Sequence, residues 1–204
     1  MKKIILIIIL AIVTNFSFSQ IIENDSILMQ NLFVKANEQM QISNFDSAIF
    51  YISKCQTICN NKKENFQDFF VIYNFFGRIF YYKFDYEASL NYFLKANSLL
   101  AQFCTDTSLY YADSYMYLGI VYRCLGDYLS SSDFFKKALN IYKSNENTNS
   151  KQLAICYNNI ANLLSDLNYF SLANDYYNKA SEIFNENEII VEDFYIQKVE
   201  QDQD

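Results

Sequence analysis

Tyr115-Met116-Tyr117-Leu118-Gly119-Ile120-Val121-Tyr122, followed by Gly126-Asp127-Tyr128, Phe135 and Ala138-Leu139, is the stretch that decides the fold. Tyr115, Leu118, Gly119 and Tyr122 fall at i, i+3, i+4 and i+7, one stripe of an α-helix with a small residue set into it. Upstream, Tyr73, Phe76, Gly77 and Phe80 fill the same register and lead to Asp85-Tyr86, Ser89, Phe93 and Ala96. Downstream, Tyr157, Ile160, Ala161 and Leu164 lead to Phe170, Ala173, Tyr177 and Ala180. Gly77, Gly119 and Ala161 lie 42 residues apart each time. A weaker first copy places Ala36 in that slot, 41 before Gly77, with Phe45, Ala48, Ile52 and Cys55 behind it. Self-similarity at such a period predicts a stacked array in which each copy is a helix–turn–helix unit.

The small residue in each first helix lets the second helix approach closely. In the second helix, small and aromatic residues alternate at i, i+4 and i+7 (Ser89, Phe93, Ala96; Ser131, Phe135, Ala138; Ala173, Tyr177, Ala180), giving knobs and gaps that interlock with neighbouring helices. Gly126-Asp127 supplies a helix-ending Gly and then an N-capping Asp. Asn44-Phe45, Asp85-Tyr86 and Asn168-Tyr169 fill comparable places without the Gly. No single copy can bury its apolar stripe alone, so stacking must close the core.

On these residues the chain resembles the tetratricopeptide repeat (TPR) family, whose pattern has a bulky residue, Leu-Gly or Leu-Ala, Tyr, and later Ala, an aromatic and Ala. The third copy matches nearly throughout, the second and fourth well, the first poorly. The resemblance covers roughly Ile27 to Asn185. The usual repeat is about 34 residues, whereas the period of 42 is similar to the longer-helix variety of kinesin light chains. The family's closing Pro is absent, since the chain has no Pro; Asn60-Asn61 and the Asn/Ser-rich run from Ser144 to Ser150 serve as stops instead. The resemblance implies an all-α, right-handed α-solenoid of about four repeats. The expected organisation is a leader at 1–19, a linker at 20–27, repeats at 28–66, 67–108, 109–150 and 151–185, and an acidic capping helix or tail at 186–204.

Met1-Lys2-Lys3 and the unbroken apolar run Ile4 to Val13 read as the basic and hydrophobic regions of a secretion signal. Ser17 and Ser19 are small residues suited to cleavage before Gln20. Ten apolar residues are too few to span a bilayer comfortably. Export to the periplasm or beyond the cell is therefore expected, the alternative being a tether through an uncleaved signal. The net charge is −7 at pH 7; losing two of the 16 basic residues with the leader leaves 14 against 23 acids, or −9. That balance argues against nucleic acid and anionic membranes as partners. Glu186, Glu188, Glu192, Asp193, Glu200, Asp202 and Asp204 concentrate the acid at the end, with Ile189, Ile190, Val191, Phe194 and Ile196 among them as a possible cap over the last apolar face. Lys35 and Gln39 occupy stripe positions that are apolar in later copies, which marks the first copy as the N-terminal cap.

The chain has no His, which removes Ser–His and Cys–His nucleophile pairs and imidazole metal sites. Its three Gly all lie in the repeat pattern and form no phosphate loop. A non-catalytic protein with no cofactor is expected. Of the five Cys, Cys55 takes the slot of Ala96, Ala138 and Ala180, as a buried structural thiol; one disulfide between neighbouring elements is the alternative.

In TPR arrays the inner face of the first helices forms a concave groove. Its places hold Phe33, Asn37 and Met40; Asn74, Arg78, Tyr81 and Tyr82; Asp113, Met116 and Arg123; and Asn158, Asn162, Ser165 and Asp166. Arg78 and Arg123 are the only arginines, each with a planar fork suited to carboxylates and peptide carbonyls. Asn37, Asn74, Asn158 and Asn162 are amides able to bond an extended backbone, and Tyr81 and Tyr82 add aromatic surface. The expected ligand set is Asn37, Asn74, Arg78, Tyr81, Tyr82, Arg123, Asn158 and Asn162, binding a protein or peptide. A mainly structural groove is the alternative. The family's Lys/Asn carboxylate clamp is not reproduced, because Phe33 stands where its first Lys belongs. Two other functions remain open: the sensor portion of a histidine kinase or transcriptional regulator lacking its output domain, and self-association through the last repeat.

Overall fold

A computed structural model describes residues 25–61, 66–146 and 148–186, with 185 and 186 described by backbone alone. The expected leader, most of the linker and the acidic tail lie outside the described residues. Helix α1 runs over residues 25–41. It is followed by α2 (Phe45–Asn61), α3 (Phe66–Tyr82), α4 (Tyr86–Leu100), α5 (Leu109–Cys124), α6 (Tyr128–Ser144), α7 (Ser150–Asp166) and α8 (Phe170–Glu186). There are no strands among the described residues. Consecutive helices pack in pairs, and each pair stacks on the next, as the period predicts.

The interlock within a pair is tight enough to require glycine. A Cβ built on Gly77 would lie 2.6 Å from Cε1 of Phe93, and one on Gly119 would lie 2.6 Å from Cδ1 of Phe135. Atoms that close must move, so the aromatic ring of the second helix occupies the space a side chain would take. In the first and fourth pairs Ala36 and Ala161 replace the Gly, and the facing residue changes to Ile52 and Tyr177. The inner two pairs add a polar fastening. Ser89 Oγ donates to the Gly77 carbonyl at 2.8 Å, and Ser131 Oγ donates to that of Gly119 at 2.8 Å. Both serines are fully buried, and Ala48 and Ala173 stand in their place in the outer pairs.

The turns between first and second helices share one conformation. Ser43, Phe84, Gly126 and Asn168 adopt φ of 57°, 61°, 79° and 63°, the left-handed residue that ends a helix. Asp85 and Asp127 then cap α4 and α6, accepting from the amides of Ala88 and Ser130. Asn44 accepts weakly from Ser47 at 3.4 Å. Asn168 thus does the work of Gly126 rather than of Asp127. Asn149 and Ser108 cap α7 and α5.

Between pairs, ring stacking carries much of the contact. Phe93 of α4 lies flat on Tyr117 of α5, centroids 4.9 Å apart and planes 2° apart. Tyr92 stacks on Phe76 and Phe80 within the second pair, and Tyr122 on Phe134 within the third. Such contacts account for the aromatic richness of the sequence.

Candidate functional site: the face of the first helices

The face is built by the first helices α3, α5 and α7, and side-chain bonds tie α5 to α7. Gln152 of α7 donates to Asp113 of α5 at 3.0 Å, and Arg123 of α5 donates to Asp166 of α7 at 2.9 Å. The surface so formed contains most of the sequence-predicted groove residues, but in unequal states.

Arg123 is committed. Its guanidinium pairs with Asp166, and its Nε is buried without a partner. Asn162 is also committed, because its Oδ1 accepts from the Tyr177 hydroxyl at 2.7 Å. Asn74 donates back to the Phe70 carbonyl at 2.9 Å, a bond along its own helix, and leaves its buried Oδ1 unpartnered. Asn158 is buried at 4% exposure, too enclosed to offer its amide along a groove, and Met40 and Met116 are core residues. Asn37 on α1 and Tyr81 on α3 are half-buried. Burial pushes the Tyr81 hydroxyl up to about 12, with the neighbouring Cys124 adding to the effect and Arg123 opposing it.

Arg78 differs from all of these. Its side chain is partly exposed on α3, and among the described residues no carboxylate pairs with it. Its guanidinium lies 5.5 Å from the centre of the Phe75 ring, a cation–π placement that holds the fork without consuming its donors. Tyr82, 46% exposed, stands one turn further along the same helix. Tyr117 of α5 completes the surroundings, since its hydroxyl feels the charges of both Arg78 and Asp113. Burial is the main influence raising the Tyr117 hydroxyl, and Arg78 lowers it.

Tyr117 was not among the expected groove residues. The signal for it is in the sequence: Phe75 and Tyr117 both stand two places before the glycine of their repeats. Asp113 has a different job from the one its groove place implies. It accepts from the Tyr142 hydroxyl of α6 and from Gln152, so one carboxylate joins three helices. Burial raises the Asp113 carboxyl above the usual range, while those two hydrogen bonds act to lower it. No trio of Cys, Asp or Glu side chains comes together as a metal-like group among the described residues.

A tetratricopeptide repeat family model matches residues 68–144 and again residues 110–186, overlapping spans that together cover more than half the chain. The chain is a member of the tetratricopeptide repeat family. Its fold matches that of BtubC (BKLC) from P. vanneervenii with a TM-score of 0.68 at 17% identity, over 84% of this chain and 68% of that one. RapI in its apo form matches with a TM-score of 0.61 at 17% identity, over 79% of this chain. The TPR chain spans only 44% of the length of RapI. MamA matches with a TM-score of 0.52 at 17% identity, over 84% of this chain and 86% of that one. At such identities these likenesses speak to the fold alone. No curated protein sequence matches the chain. TPR proteins are, as a family, modules for binding other proteins, and the all-α solenoid expected from the period is present. Among the described residues, no helix is long and apolar enough to cross a membrane.

Proposed function

We propose that this TPR protein is a non-catalytic interaction module that binds an extended segment of a partner protein along the face of its first helices. Arg78 is the anchor, receiving a carboxylate or backbone carbonyls of the segment, with Tyr82, Tyr117 and Phe75 as its aromatic surround. Arg123, its charge paired with Asp166, and Asn158 and Asn162 shape the surface rather than contact the ligand. The leader-like character of residues 1–19 supports a site of action in the cell envelope or outside the cell.

The single observation that carries this reading is the contrast between the two arginines. Arg123 is neutralised at 2.9 Å by Asp166, whereas Arg78 keeps its donors unspent on a partly exposed face. A guanidinium fork held ready over a ring binds oxyanions and carbonyls in a defined direction. An envelope extract passed over immobilised residues 20–204 tests the proposal, with Arg78→Ala and Asn162→Ala as parallel baits. A protein held by the parent and by Asn162→Ala, and lost by Arg78→Ala, supports it; hydrogen exchange on the complex should then protect α3 and α5. Equal capture by all three baits moves binding off this face.

A further inference from the structure

Beyond the face of the first helices, we propose that the rim formed by the four turns is a second docking surface, fitted to an amphipathic protein segment bearing apolar and basic side chains. The four turns form one continuous edge. Lys83 in the second turn bonds to Asp46 just past the first at 3.2 Å. Tyr81 and Tyr86 flank the second turn, and both influence the thiol of Cys124 beside the third. Arg123 before the third turn reaches Asp166 before the fourth.

Along that edge, every turn exposes a large apolar side chain. Ile42 is 68% exposed, Phe84 78%, Leu129 84% and Tyr169 62%. At the last turn Tyr169, Phe170, Leu172 and Asp175 enclose a shallow concavity, a place for one anchoring side chain. Scattered exposed apolar residues need no explanation, but one large apolar side chain beside every turn of a single edge does.

Phe84 supplies an independent observation. It sits at φ 61°, where the equivalent places hold Ser43, Gly126 and Asn168. Small and amide side chains tolerate that conformation, and a bulky aromatic is strained in it. The fold gains little buried surface in return, because the ring is 78% exposed, with Tyr86 edge-on to it at a centroid distance of 6.4 Å. A strained and exposed Phe is explained by what it touches in a complex.

The charge of the rim selects the partner's chemistry. Both cations at the rim, Lys83 and Arg123, are already paired. Asp85, Glu87, Asp127 and Asp175 remain without a cationic partner among the described residues. A second copy of this chain would bring the same carboxylates together, and an anionic membrane would be repelled. A segment with leucine-like side chains flanked by Lys or Arg satisfies both the apolar row and the acids.

The test uses three synthetic helical peptides of equal length, built from Leu and Lys, from Leu and Glu, and from Ser and Lys. Each is titrated into residues 20–204 with amide shifts as the readout. The proposal expects the Leu/Lys peptide to bind at least about ten-fold more tightly than either other. The shifts should cluster at residues 42–46, 83–87, 125–129 and 167–172. The double variant Phe84→Asn, Leu129→Ser should weaken that binding about ten-fold or more, and Arg78→Ala should leave it unchanged. Phe84→Asn alone should raise Tm, because Asn accepts the left-handed conformation. A lower Tm for Phe84→Asn would make Phe84 a structural residue and overturn the proposal. So would equal binding of the Leu/Glu peptide, loss of binding on Arg78→Ala, a concentration-dependent dimer abolished by the double variant, or adsorption to phosphatidylcholine vesicles.

Discussion

Replacing Gly77 by Ala adds a methyl group 2.6, 2.7 and 2.8 Å from three carbons of the Phe93 ring. On an open helix surface the same change would stabilise by about 1 kcal/mol, because Ala is the better helix former. Here the ring cannot swing aside cheaply: Phe93 is 1% exposed, and its far face rests on Tyr117 at a centroid distance of 4.9 Å. Overpacking of this kind costs about 1–3 kcal/mol. With no open side for the ring, the upper half of that range applies, and the net effect is a loss of about 1–2 kcal/mol. In a chain of this size that lowers Tm by roughly 2–8 °C. The decisive assay is a double-mutant cycle by thermal and urea unfolding with Phe93→Ile, which recreates the Ala36 and Ile52 pairing of the first repeat. Phe93→Ile alone loses buried ring contacts. Combined with Gly77→Ala it should lose less than the two singles together, by about 1–2 kcal/mol. A Gly77→Ala variant that melts higher than the parent would refute the interlock, as would singles that add to within about 0.5 kcal/mol.

Other consequences can be checked on the same material. Asp113 has its carboxyl raised by burial, so its protonated form favours the fold; that contribution is complete at low pH and is lost as pH rises through the raised value. Asp113→Asn should remove that loss, flattening Tm against pH above the ordinary carboxylate range, and an unchanged profile would show that the carboxylate is hydrated. Burial holds the thiols of Cys55 and Cys156 up at about 11 and about 12. Iodoacetamide at neutral pH should therefore mark Cys104 first, Cys124 more slowly because burial raises its thiol too, and reach Cys55, Cys59 and Cys156 only after denaturation, as read by mass spectrometry. Ser131→Ala removes the bond to the Gly119 carbonyl and should cost about 1 kcal/mol in urea unfolding, whereas Ser130→Ala, at an exposed cap, should cost less.

The repeat register was legible because one physical requirement, close approach of two helices, recurs with its partner 16 residues on, as Gly77 with Phe93 and Gly119 with Phe135. The left-handed turn residue was legible only at Gly126. At Phe84 the backbone is forced into that conformation by the helices on either side, against the preference of its side chain, so local sequence could not announce it. Groove membership was harder still. Counting places along a helix assigns a direction to each side chain, but the neighbours decide whether it is free. Asn158 is covered, Asn162 is taken by Tyr177, and Asp113 is drawn into a bond with Tyr142 from the helix behind it. Each partner comes from a different helix, at a separation that no single-helix count includes.

The pairing of a bare glycine with a ring has a genetic corollary. A crossover between the first copy and the second or third that falls inside a helix pair separates the hole from its knob. One product sets Ala36 against a Phe that needs the methyl's space, and the other sets Gly77 or Gly119 against Ile52, which is too slim to fill it. A crossover in the connections at 101–108 or 145–149 transfers hole and knob together and leaves both products packed. Exchange between the first repeat and the two that follow it is thus channelled into whole helix pairs.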